Sequence, residues 1–209
     1  DGLAVFFYSG HGTQFDGNFG LTGDLDPEPD GRDEGIAVWG STENALILDD
    51  ELGTLIDRLE ATRTLIVLDA CYSGTGTRSD TPDGRQAKWI DLGEIGESLE
   101  RRPEEFLAGA EGTRVTTVGR TSIELSEPRR HVLLAASADD EEAYTYADGG
   151  VFTSMLVEER RNASALTTFD EMMDRVQQRT LVRTEGDQTP QTEGRLSSSR
   201  IREFLSRNR

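Results

Sequence analysis

Three uninterrupted apolar runs constrain the fold of this chain more than any other feature. They predict strands over residues 3–8, 64–70 and 131–136 that are buried on both faces, because apolar residues follow one another without polar alternation. Between the first two, residues 50–61 predict a helix with one apolar stripe at helical spacing. The stripe consists of Leu52, Leu55, Ile56 and Leu59. A strand, a helix and a strand in this order favour a parallel sheet with a right-handed crossover.

The C-terminal part of the chain adds two helices, predicted over residues 150–161 and 168–182. The second begins with a capping-box pattern, in which Thr168 is followed by Glu171 three residues later. Its apolar side chains are predicted to face the core and not a cofactor. They are Phe169, Met172, Met173 and Val176. Residues 187–191 predict a turn or an edge segment, because a proline is excluded from a central strand.

Two stretches lack these patterns. Residues 13–45 form an acidic, glycine-rich excursion between the first strand and the first helix. Residues 75–130 are rich in Thr, Ser, Gly, Pro and charged residues, with a weak helix signal over 91–101 and a strand signal over 114–118. This composition predicts a flexible connector inside a single domain of 209 residues.

The composition narrows the classes of partner and the compartment. With 22 basic and 40 acidic residues, the net charge is −18. This charge disfavours nucleic acid and anionic membranes and attracts cations and basic peptides. A need for high solubility accounts for it equally well. No apolar run is long enough to span a membrane, and a single cysteine cannot form an internal disulfide, which suits a reducing, cytoplasmic compartment.

Two predicted strands end in glycine-rich strings that contain the only cysteine and one of the two histidines. The strings are Tyr8-Ser9-Gly10-His11-Gly12 and Asp69-Ala70-Cys71-Tyr72-Ser73-Gly74. Because parallel strands present their carboxyl ends at one sheet edge, we expect His11 and Cys71 to lie close together. This pairing predicts Cys71 as a nucleophile and His11 as its general acid and base. The N–H groups of Gly12 and Cys71 are the predicted oxyanion hole. A buried structural cysteine beside a loop histidine is the alternative.

The two strings resemble the histidine and cysteine motifs of the caspase-like cysteine peptidases, closest to metacaspases and bacterial caspase homologues. The stretch Ala136-Ser137-Ala138-Asp139 through Gly150-Val151-Phe152-Thr153 resembles the start of that family's small subunit, and Gln188-Thr189-Pro190-Gln191 resembles its closing segment. The resemblance implies a three-layer α/β caspase-haemoglobinase-like fold, with a mostly parallel sheet and helices on both faces. It divides the domain into a large-subunit-like part (1–74), a connector (75–130) and a small-subunit-like part (131–209).

The resemblance also implies where the substrate binds. Asp69, two residues before the cysteine, matches a position in the primary specificity pocket, and Ser9 matches another. A carboxylate there would pair with Arg or Lys at the P1 position, the residue before the cleaved bond. Asp69 as a simple turn cap is the alternative. An enzyme with this preference could also cut itself within its basic connector, although an ordinary solvated loop explains the same composition. The basic residues there are Arg78, Arg85, Lys88, Arg101, Arg102, Arg114, Arg120, Arg129 and Arg130.

Calcium is a further implication of the resemblance, as an activator and not as a requirement of the chemistry. Asp33, Asp49 and Asp50 match the carboxylates that hold Ca²⁺ in calcium-dependent metacaspases, whereas a fourth ligand position falls on Arg78. Acidic residues at positions 49 and 50 also suit the start of a helix, where they favour the dipole. A calcium site and a simple helix start therefore both remain open.

Members of this family begin with a strand, a helix and a strand that precede the histidine motif, and those elements are absent from residues 1–209. We therefore expect a companion N-terminal fragment of the same domain to cover an otherwise exposed sheet edge.

Two non-enzymatic interpretations compete with a peptidase: a caspase-like interaction module and a calcium-binding regulatory domain. The intact pair of Cys71 and His11 favours the peptidase, with proteins as substrates.

Overall fold

A computed structural model describes residues 2–16, 32–39, 44–71, 84–90, 131–138 and 141–206. Its main sheet has four strands in the order β1-β5-β7-β10. Strands β1 (Leu3–Ser9), β5 (Arg63–Asp69) and β7 (His131–Ala135) are parallel, whereas β10 (Gln191–Glu193) pairs antiparallel with β7. The three apolar runs therefore form the three parallel strands, as predicted. The segment around Pro190 leads into the edge strand of this sheet, in agreement with its turn-or-edge prediction.

Two smaller antiparallel sheets flank the main one. The first contains β2 (Gly12–Asp16), β3 (Arg32–Trp39) and β4 (Asn44–Leu48) in that order. The second contains β6 (Gln86–Ala87), β8 (Tyr144–Tyr146) and β9 (Gly149–Gly150). The excursion predicted over residues 13–45 is thus largely sheet in its described part. Its pattern of glycine and acidic residues gave no strand signal, because these strands are stabilised by pairing with each other.

The described helices are α1 (Asp49–Asp57), α2 (Val151–Asn162), α3 (Phe169–Arg183) and α4 (Ile201–Leu205). The capping box at Thr168 and Glu171 is present, with both reciprocal hydrogen bonds. Helix α1 is shorter than its predicted span of 50–61, so Leu59 lies beyond the helix and is exposed. The elements predicted over 91–101 and 114–118 fall outside the described residues.

Helices cover both faces of the main sheet. On one face, Val67, Val132 and Leu134 pack with side chains of α2, α3 and α4. On the other, the alternate residues Ile66, Leu68 and Leu133 pack with Leu52 and Ile56 of α1. The four apolar residues predicted to form the inner face of α3 are all buried. These two layers of helices around a mostly parallel sheet confirm the predicted α/β class.

Strand β1 lies at one edge of the main sheet and pairs with β5 alone within the described ranges. Val5 and Phe7 are 58% and 54% exposed. They lie opposite Leu65 and Val67 in the parallel register, so they continue the apolar face of the sheet that α2 and α3 cover elsewhere. Within the described part of the chain, no helix is long and apolar enough to cross a membrane.

Candidate active site

The ends of β1 and β5 bring the two glycine-rich strings together. Ser9 lies opposite Asp69 in the parallel register. His11 lies two residues after Ser9, and Cys71 lies two residues after Asp69. The Gly10 N–H donates a hydrogen bond of 3.1 Å to the Asp69 carbonyl and holds the two turns side by side. The turns that follow β1 and β5 are therefore adjacent in the backbone.

Gly12 lies where the chain has no room for a side chain. A Cβ atom at this position would collide with the carbonyl oxygen of Cys71. Glycine is therefore required at position 12 because the two backbones pack closely together, and not because the backbone adopts an unusual conformation there. This contact places the main-chain N–H groups of Gly12 and Cys71 on the same side of the site.

Both of these N–H groups point to one oxygen atom, the carbonyl of Lys88. The Gly12 N–H donates to it at 2.9 Å and the Cys71 N–H at 3.4 Å. Two convergent backbone donors on one carbonyl are the geometry that an oxyanion hole requires. The carbonyl that lies there belongs to the chain itself, in the part of the predicted connector that the structure describes.

The side chain of Lys88 is buried against Asp69. Its Nζ lies 2.7 Å from Asp69 Oδ1, 2.9 Å from Ser9 Oγ and 3.1 Å from the Asp69 carbonyl. The side chains of Lys88 and Asp69 are 6% and 0% exposed. Lys88 is the only lysine in the chain, whereas the other 21 basic residues are arginines. The single lysine thus pairs with the residue that the family resemblance places in the primary specificity pocket.

Two further residues lie against the ion pair of Lys88 and Asp69, and neither was predicted as a site residue. Thr153 donates to Asp69 Oδ2 through both its hydroxyl, at 2.5 Å, and its N–H, at 3.3 Å. Gly150 leaves the space that Lys88 fills, because a Cβ atom there would collide with Asp69 Oδ2 and lie 2.5 Å from Lys88 Nζ. Both residues belong to the string that resembles the start of the small subunit, so the signal was the resemblance itself.

The segment around Lys88 runs through the site in an extended conformation. Gln86 and Ala87 pair antiparallel with Thr145 and Tyr144 of β8. The Lys88 N–H then donates to the Ala143 carbonyl at 2.8 Å, and the Ile90 N–H donates to the Gly12 carbonyl at 3.1 Å. An extended peptide that adds to a sheet edge in this way has the arrangement in which proteins bind strand-like ligands.

The Cys71 thiol is buried and faces Ala143. Its Sγ donates to the Ala143 carbonyl at 3.0 Å and accepts from the Ala143 N–H at 2.8 Å. Burial raises the pKa of the thiol to about 12, although main-chain hydrogen bonds from Ala143 and Lys88 oppose the shift. The thiol is therefore protonated at neutral pH. Among the described residues, the exposed His11 imidazole makes no hydrogen bond to it.

Tyr8 and Gln188 hold the two sides of the site in position. The Tyr8 hydroxyl lies 2.7 Å from the His11 carbonyl and 2.5 Å from the Ala37 carbonyl, and burial raises its pKa to about 12. The fully buried Gln188 side chain accepts from the Tyr144 N–H at 3.1 Å and donates to the Ala136 carbonyl at 3.0 Å. Gln188 therefore ties β8, the strand beside the Lys88 segment, to the end of β7.

The three predicted calcium ligands lie near the end of the β3–β4 ladder. Gly35 lies opposite Leu48, so Asp33 is two residues beyond this pair on one strand and Asp49 and Asp50 follow it directly on the other. Asp49 is buried at the first turn of α1. No group of three or more metal-binding side chains is found in the described residues, which do not include Arg78 or the side chains of Asp33 and Asp50.

Comparison with known proteins assigns the family. A sequence model of the caspase domain, Peptidase C14, matches residues 1–200. The chain therefore belongs to the caspase-domain family, a family of cysteine peptidases. The crystal structure of protein GSU0716 from Geobacter sulfurreducens is similar with a TM-score of 0.60 and 20% sequence identity, over 96% of this chain and 71% of that one. This likeness concerns the fold alone. None of the curated proteins matches the chain significantly.

Proposed function

We propose that this protein is a cysteine endopeptidase that cleaves after lysine or arginine, and that its first substrate is its own Lys88–Trp89 bond. The observation that carries the proposal is the placement of Lys88. Its carbonyl accepts from two convergent N–H groups while its ammonium group pairs with buried Asp69. A peptidase holds the residue before the cleaved bond by these same two ends.

The proposed reaction uses Cys71 and His11. His11 takes the thiol proton, and the thiolate attacks the carbonyl carbon of Lys88 to form a C–S bond. The N–H groups of Gly12 and Cys71 stabilise the resulting oxyanion. The imidazolium then gives the proton to the nitrogen of Trp89 as the C–N bond breaks. A water molecule that loses its proton to His11 hydrolyses the thioester and restores the thiol.

The preference for a basic residue follows from the burial of Asp69. A carboxylate that is 0% exposed needs a cationic partner, and an acidic side chain in the same pocket would be repelled. A lysine reaches Asp69 and Ser9 in the uncut chain, and an arginine guanidinium offers the same donors in a planar arrangement. We therefore expect cleavage after both residues and none after aspartate.

The uncut chain is, on this proposal, the resting form of the enzyme. The segment around Lys88 fills the site, and the protonated thiol faces Ala143 instead of the scissile carbonyl. Cleavage requires rotation of the thiol, and departure of the cut segment then opens the site to other proteins. A thiol that must stay reduced suits the cytoplasm, the location we propose.

A peptide electrophile tests the function directly. We expect a lysyl or arginyl acyloxymethyl ketone to add to Cys71, and the aspartyl reagent with otherwise the same sequence to leave it unmodified. Labelling is read as a mass increase on the peptide that contains Cys71, with Cys71→Ala as the control. Preferential labelling by the aspartyl reagent would contradict the basic preference. Failure of all three reagents would favour an interaction module or a calcium-binding regulatory domain.

We also propose that Asp33, Asp49 and Asp50 hold a calcium ion that activates the enzyme. The backbones of these three acidic residues lie near one end of the β3–β4 ladder, and carboxylates are the hard oxygen donors that Ca²⁺ prefers. Calorimetry of the uncleaved Cys71→Ala protein should show calcium binding that Asp49→Asn weakens. The absence of binding heat, together with activity that a chelator leaves unchanged, would overturn this part of the proposal.

The exposed apolar residues of β1 support the expected companion fragment. Val5 and Phe7 extend a sheet face that is otherwise covered by helices, and an unpaired sheet edge lies beside them within the described ranges. We expect the chain alone to self-associate and its β1 amides to exchange quickly. A monodisperse monomer with slowly exchanging β1 amides would contradict the companion fragment.

A further inference from the structure

We propose that the enzyme has a second specificity subsite, which selects arginine three residues before the basic P1 residue, at P4. The subsite consists of the ring of Tyr144, the carboxylate of Asp187 and the carbonyl of Thr184. In the uncut chain it is filled by Arg85, three residues before Lys88. This inference rests on the proposed function, because it assigns the part of the substrate that the same site binds beyond P1.

Among the described residues, the Arg85 side chain contacts a carboxylate, a carbonyl and an aromatic ring. Its Nη2 pairs with Asp187 Oδ2 at 2.7 Å, and its Nη1 donates to the Thr184 carbonyl at 2.6 Å. Its Cζ lies over the Tyr144 ring, 4.6 Å from the centroid. The Arg85 side chain is only 11% exposed. A surface ion pair alone would leave the guanidinium far more exposed.

The chemistry of these three contacts favours arginine over lysine. The planar guanidinium presents two N–H groups to two acceptors at once and stacks on an aromatic face, whereas an ammonium group is a compact point charge. Thr184 is the C-cap of α3, so its carbonyl lies at the negative end of the helix dipole. A cation is therefore attracted by the carboxylate, the ring and the helix end together.

The subsite is held by residues outside the Arg85 segment. The Tyr144 N–H donates to the buried Gln188 side chain. The turn after α3 has positive φ angles at Glu185 and Gly186, and the Asp187 N–H donates back to the Thr184 carbonyl at 3.2 Å. Tyr144, Thr184 and Asp187 therefore remain together when the segment leaves, and an arginine of another protein can take the place of Arg85.

The strand register fixes the spacing between the two subsites. Gln86 and Ala87, which separate Arg85 from Lys88, pair with Thr145 and Tyr144 of β8. In an extended strand, positions three residues apart are separated by roughly 10 Å, and residues on opposite sides of the strand reach different pockets. The expected recognition sequence is therefore arginine, any two residues, and then lysine or arginine before the cleaved bond.

Peptide kinetics on the self-processed enzyme provide the first test. Three fluorogenic peptides with lysine at P1 differ only at P4: Arg-Gln-Ala-Lys, Lys-Gln-Ala-Lys and Ala-Gln-Ala-Lys. We expect kcat/KM for the first to exceed that for the third by about tenfold, with the second between them. In Asp187→Asn the ratio of kcat/KM for the arginine peptide to that for the alanine peptide should shrink towards one. Equal rates for the three peptides would overturn the subsite and leave the P1 preference standing.

A second test does not depend on catalysis. Because Lys88 is the only lysine, acetylation of its amine in the Cys71→Ala protein reports how often the segment leaves the site. We expect Arg85→Ala to raise the acetylation rate of Lys88 by about tenfold. The exposed Arg160→Ala is the matched control and should leave the rate unchanged. If no peptide is cleaved, the P1 proposal fails, and this rate alone decides the subsite: an unchanged rate in Arg85→Ala overturns it.

Discussion

Replacing Asp69 with asparagine tests the proposed P1 pocket. The substitution keeps the shape of the side chain but removes the charge that faces Lys88 at 2.7 Å. Both partners are almost fully buried, so solvent does not screen their interaction. Removing one partner of such a pair costs about 3–5 kcal/mol. Since each 1.4 kcal/mol corresponds to about a factor of ten, we expect kcat/KM for a lysine-P1 peptide to fall by roughly 100-fold or more.

This prediction has two controls. One is a substrate with an uncharged P1 residue, and the other is a variant of Ser9, an uncharged hydrogen-bond partner of Lys88. A peptide with glutamine at P1 should be cleaved by Asp69→Asn at least as well as by the wild type, because no charge is left unpaired. Ser9→Ala, which removes a single neutral hydrogen-bond partner of Lys88, should lower the lysine rate by only about tenfold. If Asp69→Asn cleaves the lysine peptide within about threefold of the wild-type rate, the assignment of the pocket is wrong.

Three further predictions concern other parts of the site. Gly150→Ala should abolish cleavage after lysine, because its Cβ would occupy the space beside Asp69; peptide kinetics at wild-type level would contradict this. Gln188→Ala should lower the free energy of unfolding by about 1–3 kcal/mol in urea, since it leaves two buried main-chain groups unpaired; an unchanged midpoint would oppose it. In uncleaved His11→Ala protein, alkylation of Cys71 should keep accelerating above pH 9, because burial raises the thiol pKa to about 12 and the thiolate forms only as the pH approaches that value. A plateau below pH 9 would show that the thiol is not desolvated.

The main sheet could be predicted from the sequence because its strands carry their own signal. The runs ending at Ser9 and Asp69 are long and apolar, and the glycine-rich residues that follow them indicate turns. Parallel pairing then brings those ends together without further information. The strands within residues 13–45 could not be predicted in this way, because their residues form a sheet only through contacts with each other.

The position of Lys88 could not be predicted from local sequence. It was one of nine basic residues in a connector whose composition favours disorder. Its placement depends on an ion pair with Asp69, which lies 19 residues earlier, and on strand pairing with β8, which lies more than fifty residues later. Contacts between residues so far apart in the sequence produce no pattern in the sequence around Lys88. Thr153 was missed for the same reason, because its role depends on where the start of α2 meets Asp69.

The intact mass of the purified protein shows whether Cys71 cleaves the chain after Lys88. Incubated wild-type protein should give two fragments, residues 1–88 and 89–209, the second beginning with Trp89. Cys71→Ala should remain whole, Lys88→Arg should still be cut, and Lys88→Gln should not. If wild-type protein stays whole under conditions in which it hydrolyses lysine peptides, or is cut only elsewhere in the connector, Lys88–Trp89 is not the bond that Cys71 cleaves.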